Sequence, residues 1–279
     1  SASKKFIGQL IAAGIVIRFG GVQITNMHGL LGVYQIPHMA SLALSLFTII
    51  VITNSFNLID GVDGLAGSLG LLTTLVFGSY FFYIGQFTYA VMAFALAGSL
   101  ISFLIYNFPP AKIFMGDTGS LLLGLVNSIL VIKFINFAAA PEAILPLEAA
   151  PAIGFAILMI PLADTLRVFG LRLLDRRSPF SPDRNHIHHF LLDLGFSHRK
   201  ITLTCVSANI LFIALAIALR QMGTTTVMGI LLLSALTLVS LVYFFRQKTK
   251  KVRLEKTTSK EIIKQPKIIT LVSDTVEAE

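Results

Sequence analysis

The sequence predicts an all-α, polytopic bundle of membrane-spanning helices. Hydrophobic residues make up 55% of the 279 residues and charged residues only 13%, whereas about 25% of the residues in soluble domains are charged. No charged residue occurs between Arg18 and Asp60 or between Asp63 and Lys112. Because a bilayer span needs only about 20 apolar residues, each interval has room for one or two spans. These observations exclude a water-soluble globule and a disordered chain.

Apolar runs separated by polar residues, Pro and Gly predict about eight helices. The runs are long and continuous rather than alternating, which favours helices over a β-barrel. Asp-Gly pairs at 60–64 separate the second helix from the third, and Pro109 and Pro110 end the fourth. Residues 1–245 form the predicted membrane domain, and 246–279 form a basic-to-mixed cytoplasmic tail. The predicted helices cover residues 6–22, 39–53, 65–84, 87–106, 120–137, 153–173, 201–219 and 225–245.

The lysines and arginines predict the sidedness of the bundle. They concentrate in the loop 172–200 and in the segment 246–253, and two predicted helices separate these regions. The positive-inside rule therefore places both in the cytoplasm, together with 54–64, 107–119 and both termini. The net charge of +8 is explained by this topology and by contact with anionic membrane lipids, so no nucleic-acid partner is expected. The single cysteine, Cys205, excludes a disulfide framework and a cysteine-based metal site.

Three polar clusters fall on the predicted cytoplasmic side. The first contains Asn54, Asn57, Asp60 and Asp63, at the end of the second predicted helix. Carboxylate and carboxamide oxygens are ligands that suit a hard cation such as Mg²⁺. The alternative is a turn with helix caps, which is less favoured because a cap needs one such residue rather than four.

The second cluster runs from Asn107 to Ser120 and contains one acidic residue, Asp117. A new apolar helix is expected to begin at Ser120, so its free N–H groups would lie beside Asp117. Such a helix start binds phosphate, and Asp117 could hold a metal that bridges to the same phosphate. The alternative is a serine-capped helix that follows an Asp-Gly turn.

The third cluster is the basic loop containing Arg184, His186, His188 and His189. Zinc is disfavoured because zinc sites combine such ligands with Cys or with further His. Binding of pyrophosphate oxygens is the favoured interpretation, and a loop that only sets topology is the alternative. Asp164 and Arg167 lie three residues apart in the sixth predicted helix, where a structural ion pair is favoured over a functional role.

These clusters resemble the polyprenyl-phosphate N-acetylhexosamine-1-phosphate transferase family. The resemblance runs from about Lys4 to Phe196 and rests on the Asn57–Asp63 segment, the Phe114–Asp117 loop and the His186–His189 motif. The His-Ile-His-His form is similar to the N-acetylglucosamine branch rather than to the branch that transfers phospho-N-acetylmuramoyl-pentapeptide. The resemblance implies transfer of a sugar-1-phosphate from UDP-N-acetylhexosamine to undecaprenyl phosphate, with release of UMP. We expect this reaction to initiate a cell-envelope glycan at the cytoplasmic face of a bacterial inner membrane.

The resemblance also implies a role for each motif residue. Asn57 and Asp117 would hold Mg²⁺, with Mn²⁺ as an alternative ion. Uracil would lie against Asn107 and Phe114, and phosphate would contact Arg184 and Lys5. Asn54, an amide of the first cluster, completes the predicted substrate-binding set. The predicted catalytic set comprises the other two acids of the first cluster and the histidines of the third, namely Asp60, Asp63, His186, His188 and His189.

One departure from the family keeps other interpretations open. Members carry an Asp-Asp pair shortly before the segment that Lys4-Lys5-Phe6 resembles, and the sequence given begins after that point. We therefore expect a piece of a longer enzyme that is catalytically incomplete by itself. The alternatives are a nucleotide-sugar transporter, whose ligand groups should lie near the bilayer midplane, and an inactive, binding-only homologue. A homodimer is compatible with the sequence.

Overall fold

The computed structural model describes residues 2–140, 144–176 and 186–264, and these residues are almost entirely helical. A short antiparallel hairpin, β1 and β2, joins the first two helices. A 3₁₀ turn, Arg220–Met222, precedes the last helix. In chain order the elements are α1 (Ala2–Gly20), β1 (Asn26–Leu30), β2 (Val33–Gln35), α2 (His38–Ile59), α3 (Leu65–Tyr83), α4 (Phe87–Asn107), α5 (Gly116–Ala138), α6 (Ala150–Ile157), α7 (Met159–Leu174), α8 (Ile187–Asp193), α9 (His198–Ala218) and α10 (Thr224–Lys264).

The protein is a multi-pass helical membrane protein, as the sequence predicts. Among the described residues, six helices are long and apolar enough to cross a membrane, and the bent pair α6–α7 makes a seventh if it forms one span. Helix α1 corresponds to the first predicted span; it carries Lys4, Lys5 and Arg18 and is not one of these six helices. The six are α2, α3, α4, α5, α9 and the Thr224–Thr249 part of α10.

Helices α2, α3 and α5 pack closely enough to fix the ends that carry the first two polar clusters. Gly124 of α5 lies directly against the α2 backbone, since a Cβ there would come within 2.6 Å of the Cα of Thr53. The buried hydroxyl of Thr73 in α3 donates to the amide oxygen of Asn127 in α5 at 2.7 Å. These contacts align the last turn of α2 with the first turn of α5.

The three polar clusters lie at one end of the bundle, which we call the site end. The side chain of His188 lies against Gly61, and His198 pairs with Asp63. The hairpin and the start of α10 lie at the opposite end, where Thr224 donates to the carbonyl of His28 at 2.9 Å. The grouping of the clusters at one end agrees with the sidedness derived from the charges.

The continuous helix predicted over residues 153–173 is wrong, because the chain bends by 86° between α6 and α7. Pro161 lies in the first turn of α7, where its missing N–H and its ring prevent a helix from continuing through this point. Asn209 of α9 satisfies the backbone groups that the break leaves free. It accepts from the N–H of Ile160 at 3.0 Å and donates to the carbonyl of Ile157 at 2.9 Å.

Several boundaries also differ from those expected. Helix α2 continues to Ile59, so Asn54 and Asn57 lie within it. Helix α5 begins at Gly116 rather than at Ser120, and the Ser120 hydroxyl donates back to the Gly116 carbonyl at 2.9 Å instead of capping the helix. The hairpin and α8 were not predicted. Helix α10 continues to residue 264, past the boundary drawn at 245.

Candidate active site

The centre of the site is the carboxylate of Asp117, in the first turn of α5. Its Oδ2 pairs with the ammonium of Lys5 in α1. Its Oδ1 accepts from the Nδ2 of Asn57 at 3.0 Å, and the same Nδ2 lies 2.9 Å from the hydroxyl oxygen of Ser120. The fold therefore brings together three residues that the sequence assigned to metal and phosphate binding, and they come from three different helices.

Asp60 lies directly after α2, close to this carboxylate. Burial raises the pKa of Asp60 to about 6, and the negative charge of Asp117 adds to the increase. A carboxyl group with such a pKa changes its protonation near physiological pH, which is a property of proton-transferring residues. The predicted catalytic role of Asp60 is chemically reasonable on these grounds and stays a prediction.

Asn107 and Phe114 occupy the loop between α4 and α5 in different ways. The buried amide of Asn107 accepts from the N–H of Gly64 at 2.9 Å and donates to the carbonyl of Ile113 at 2.8 Å. It therefore joins this loop to the one that follows α2. The ring of Phe114 is 79% exposed, so a flat base could stack on it. The contacts of both residues with uracil stay predictions.

Asp63 joins the same loop region to the start of α9. Its Oδ2 lies 3.1 Å from the Nδ1 of His198 and 3.4 Å from the N–H of Ala111. Its backbone carbonyl accepts from the hydroxyl of Thr202 at 3.0 Å. No role was predicted for His198; the one available signal was its position beside Arg199 and Lys200 at the end of the basic loop.

The histidine motif packs onto the turn that carries Asp60. The rings of His186 and His188 are parallel, with an interplanar angle of 4° and centroids 5.5 Å apart, and the ring of His189 is 4.3 Å from that of His188. A Cβ placed on Gly61 would lie 2.8 Å from the Nε2 of His188. Burial lowers the pKa of His188 to about 4, so its imidazole is neutral at physiological pH. Arg184 lies outside the described residues.

Asp164 of α7 is linked to the histidine motif. The predicted ion pair with Arg167 is present, with 3.2 Å between Nη2 and Oδ1. The other oxygen, Oδ2, lies 2.9 Å from the Nδ1 of His186, a contact that the sequence did not suggest. The Nδ2 of Asn54 donates to Oε1 of Gln9 in α1 at 3.0 Å.

Comparison with known proteins finds a family model that resembles the first part of the chain. Residues 1–135 match the family model described as "Glycosyl transferase family 4". This match extends over just under half of the chain. The match runs from α1 into α5 and includes the Lys5–Asn57–Asp117 centre, so the predicted family resemblance is confirmed.

Curated proteins that are similar to the chain have related names. The chain is 34% identical over 221 residues to the decaprenyl-phosphate N-acetylglucosaminephosphotransferase of Mycobacterium leprae, covering 72% of this chain and 54% of the relative. It is 34% identical over 227 residues to the probable undecaprenyl-phosphate N-acetylglucosaminyl 1-phosphate transferase of Bacillus subtilis, covering 79% and 60%. It is 30% identical over 195 residues to the undecaprenyl-phosphate alpha-N-acetylglucosaminyl 1-phosphate transferase of Escherichia coli K12, covering 68% and 51%. The chain thus spans just over half the length of these relatives.

The oxygen atoms at the centre of this site suit a magnesium ion shared with a substrate. No group of three or more His, Cys, Asp or Glu side chains that could hold a metal occurs among the described residues. Mg²⁺ does not need such a cage, because it is usually bound by one or two carboxylates together with substrate phosphates and water. Asp117 and the amide oxygen of Asn57, with Asp60 nearby, are a donor set of that kind.

Proposed function

We propose that this protein, as part of the complete enzyme, transfers N-acetylglucosamine-1-phosphate from UDP-N-acetylglucosamine to undecaprenyl phosphate. The products are the polyprenyl-diphosphate sugar and UMP. The observation that carries the proposal is the Lys5–Asn57–Asp117 centre at the ends of apolar helices, where a lipid phosphate and a water-soluble donor can meet. The names of the relatives support the sugar and the polyprenyl acceptor, and the motifs support the UDP donor.

The reaction requires one P–O bond to form and one to break. An oxygen of the acceptor phosphate attacks the β-phosphorus of the donor, and the bond from that phosphorus to the bridging oxygen breaks as UMP leaves. Negative charge grows on the oxygens around the transferred group, so fixed cationic and N–H donors stabilise the transition state. The ammonium of Lys5 supplies such a donor beside Asp117. Asp60 accepts the proton when the acceptor phosphate arrives as a monoanion, because its carboxyl group is ionised above about pH 6.

Asp117 and Asn57 would hold Mg²⁺, with Mn²⁺ as an alternative, and the bound ion would neutralise charge on the donor pyrophosphate. Lys5 balances the charge of Asp117, so this carboxylate is held in place before substrate arrives. We further propose that the site end faces the cytoplasm of a bacterial cell, since Lys4, Lys5 and the basic residues 199–200 lie there. The product would then begin a cell-envelope glycan at the inner membrane.

The test measures turnover by the protein expressed in bacterial membranes from its complete coding region. With UDP-N-acetylglucosamine, undecaprenyl phosphate and Mg²⁺ we expect UMP and a lipid-linked product of the corresponding mass. Both should disappear in EDTA and in Asp117→Asn. Glu148→Gln is the matched control, because it makes the same acid-to-amide change at the opposite end of the bundle. UMP release that does not require the lipid, or uptake of intact nucleotide sugar into vesicles, would overturn the proposal.

A further inference from the structure

The buried carboxylate of Asp164 has both of its oxygens occupied by donors from the segment that carries the histidine motif and from its own helix. The residue is 2% exposed. Its Oδ1 accepts from the N–H of Ile187 at 2.8 Å and from Arg167 at 3.2 Å. Its Oδ2 lies 2.9 Å from the Nδ1 of His186. An ionised carboxylate can only accept hydrogen bonds, so the third contact requires a proton on that nitrogen.

The contacts of Asp164 do more than neutralise its charge. Arg167 alone would suffice as a counter-ion for a buried carboxylate. The contact with the N–H of Ile187 additionally fixes the first residue of α8, and the contact with His186 fixes the rotation of a ring. Asp164 therefore holds in place both the backbone at Ile187 and the ring of His186.

The ring of His186 transmits this constraint to the reaction centre. It is stacked in parallel on His188, and His188 lies against Gly61, the residue after Asp60. Two imidazole rings thus connect Asp164 with the turn that borders the Lys5–Asn57–Asp117 centre. A shift of His186 would move His188 relative to that turn.

We propose that Asp164 is a positioning residue for the transfer reaction: it keeps a proton on the Nδ1 of His186 and thereby leaves the Nε2 side of that ring oriented for substrate. This inference rests on the proposed function. A carboxylate that fixes the orientation and tautomer of an imidazole is well known to increase turnover without touching the substrate. Asp164 acts here through His186 in the same sense.

The kinetic test uses Asp164→Asn in the complete protein. The amide Oδ1 can still accept a hydrogen bond from the N–H of Ile187, but the amide Nδ2 cannot accept a hydrogen bond from His186. We expect kcat to fall by roughly 10- to 100-fold, the range found when the partner that orients a metal-ligating histidine is removed, with little change in KM for UDP-N-acetylglucosamine. Thr165→Val is the matched control, a nearly isosteric change at the next, equally buried position of α7, and should leave kcat unchanged.

Two further measurements separate a positioning role from a merely structural one. In a His186→Asn background, adding Asp164→Asn should cause no additional loss of rate, because the residue through which Asp164 acts is gone. In wild-type protein labelled with ¹⁵N-histidine, the NMR signal assigned through His186→Asn should show a protonated Nδ1 at pH 8. This last measurement needs neither turnover nor a folded Asp164 variant.

The outcomes distinguish this inference from the proposed function. Absence of UMP release by the wild type contradicts the proposed function, while the protonation of His186 still decides whether Asp164 fixes its ring. Turnover in the wild type with an unchanged kcat in Asp164→Asn overturns the inference. An unprotonated Nδ1, or an equal loss of kcat in Thr165→Val, overturns it as well.

Discussion

The contact between Gly61 and His188 makes Gly61→Ala a test of whether the histidine motif must lie against the Asp60 turn. The added methyl group would be 2.8 Å from Nε2 and 3.3 Å from Cε1 of His188. Such atoms pack at about 3.5 Å or more, so the ring has to retreat by roughly 0.7 Å. The backbone at Gly61 is not in the left-handed region, and the residue is exposed. The strain therefore falls on the histidine rather than on the turn.

The expected loss of activity follows from that displacement. His188 is buried and stacked on His186, so its retreat moves both rings relative to Asp60. A misplacement of about 1 Å at a reacting group can reduce the rate by about 10²-fold. We therefore expect kcat to fall by about tenfold to 10²-fold in Gly61→Ala. The Lys5–Asn57–Asp117 centre is untouched, so KM for the donor should change little.

The assay is UMP release in membranes, measured together with the thermal unfolding midpoint of the purified protein in detergent. Gly98→Ala is the matched control, because a Cβ on this α4 residue meets nothing within 4 Å. It should keep both turnover and unfolding midpoint. If Gly61→Ala turns over as fast as Gly98→Ala, the His188 contact has no part in catalysis. A loss of activity that simply follows a loss of folded protein would refute the reasoning too.

Three other perturbations test separate parts of the site. In Asp117→Asn the rate should fall by about 10²- to 10³-fold, whereas the free energy of unfolding should change by less than about 1 kcal/mol, because Lys5 and Asp117 are each about half exposed; a folded variant with normal turnover would contradict the metal assignment. Because the pKa of Asp60 is raised from 3.8 to about 6, its contribution to stability is complete below pH 4 and is lost as the pH rises through 6. Without divalent cations, the unfolding midpoint of the wild type should therefore fall from pH 4 to pH 7 relative to Asp60→Asn, and equal pH dependences would refute the shift. Asn209→Leu should lower the free energy of unfolding by about 2 kcal/mol or more, since two backbone groups lose their partner; an unchanged chemical-denaturation midpoint would show that they find another.

The centre of the site could be predicted because its residues have few other reasons to be where they are. Asn57 and Asp117 interrupt apolar helices at ends that the charge distribution places on one side. Helix ends on the same side of a membrane lie at similar depth. Asn57 and Asp117 are therefore expected to lie near each other and near Lys5. Asn107 shows the limit of this reasoning. The sequence does not distinguish an asparagine whose buried amide joins two loops from an asparagine that binds a base.

The contact between Asp164 and His186 could not be predicted because it depends on long-range geometry. The i, i+3 spacing offers Arg167 as a local partner, and the sequence alone gives no reason to look further. The bend before α7 redirects the helix that carries Asp164, and periodicity does not report such a bend. The hairpin was missed for a different reason. Its strands are short, and the turn relies on positive φ values at residues such as Gly29 and Gly32, so no alternating pattern develops.

The attachment of α8 has a consequence for the order in which the protein assembles. This helix has seven residues, which is too short to be stable alone. The guanidinium groups of Arg167 and Arg246 each lie over its Phe190 ring, and Arg246 also bonds to Asp193, 53 residues earlier in the chain. The histidine motif therefore reaches its final place only after α10 has been synthesised and inserted. A nascent chain that stops before α10 would carry every residue of the Lys5–Asn57–Asp117 centre, but its histidine motif would not yet be held in place.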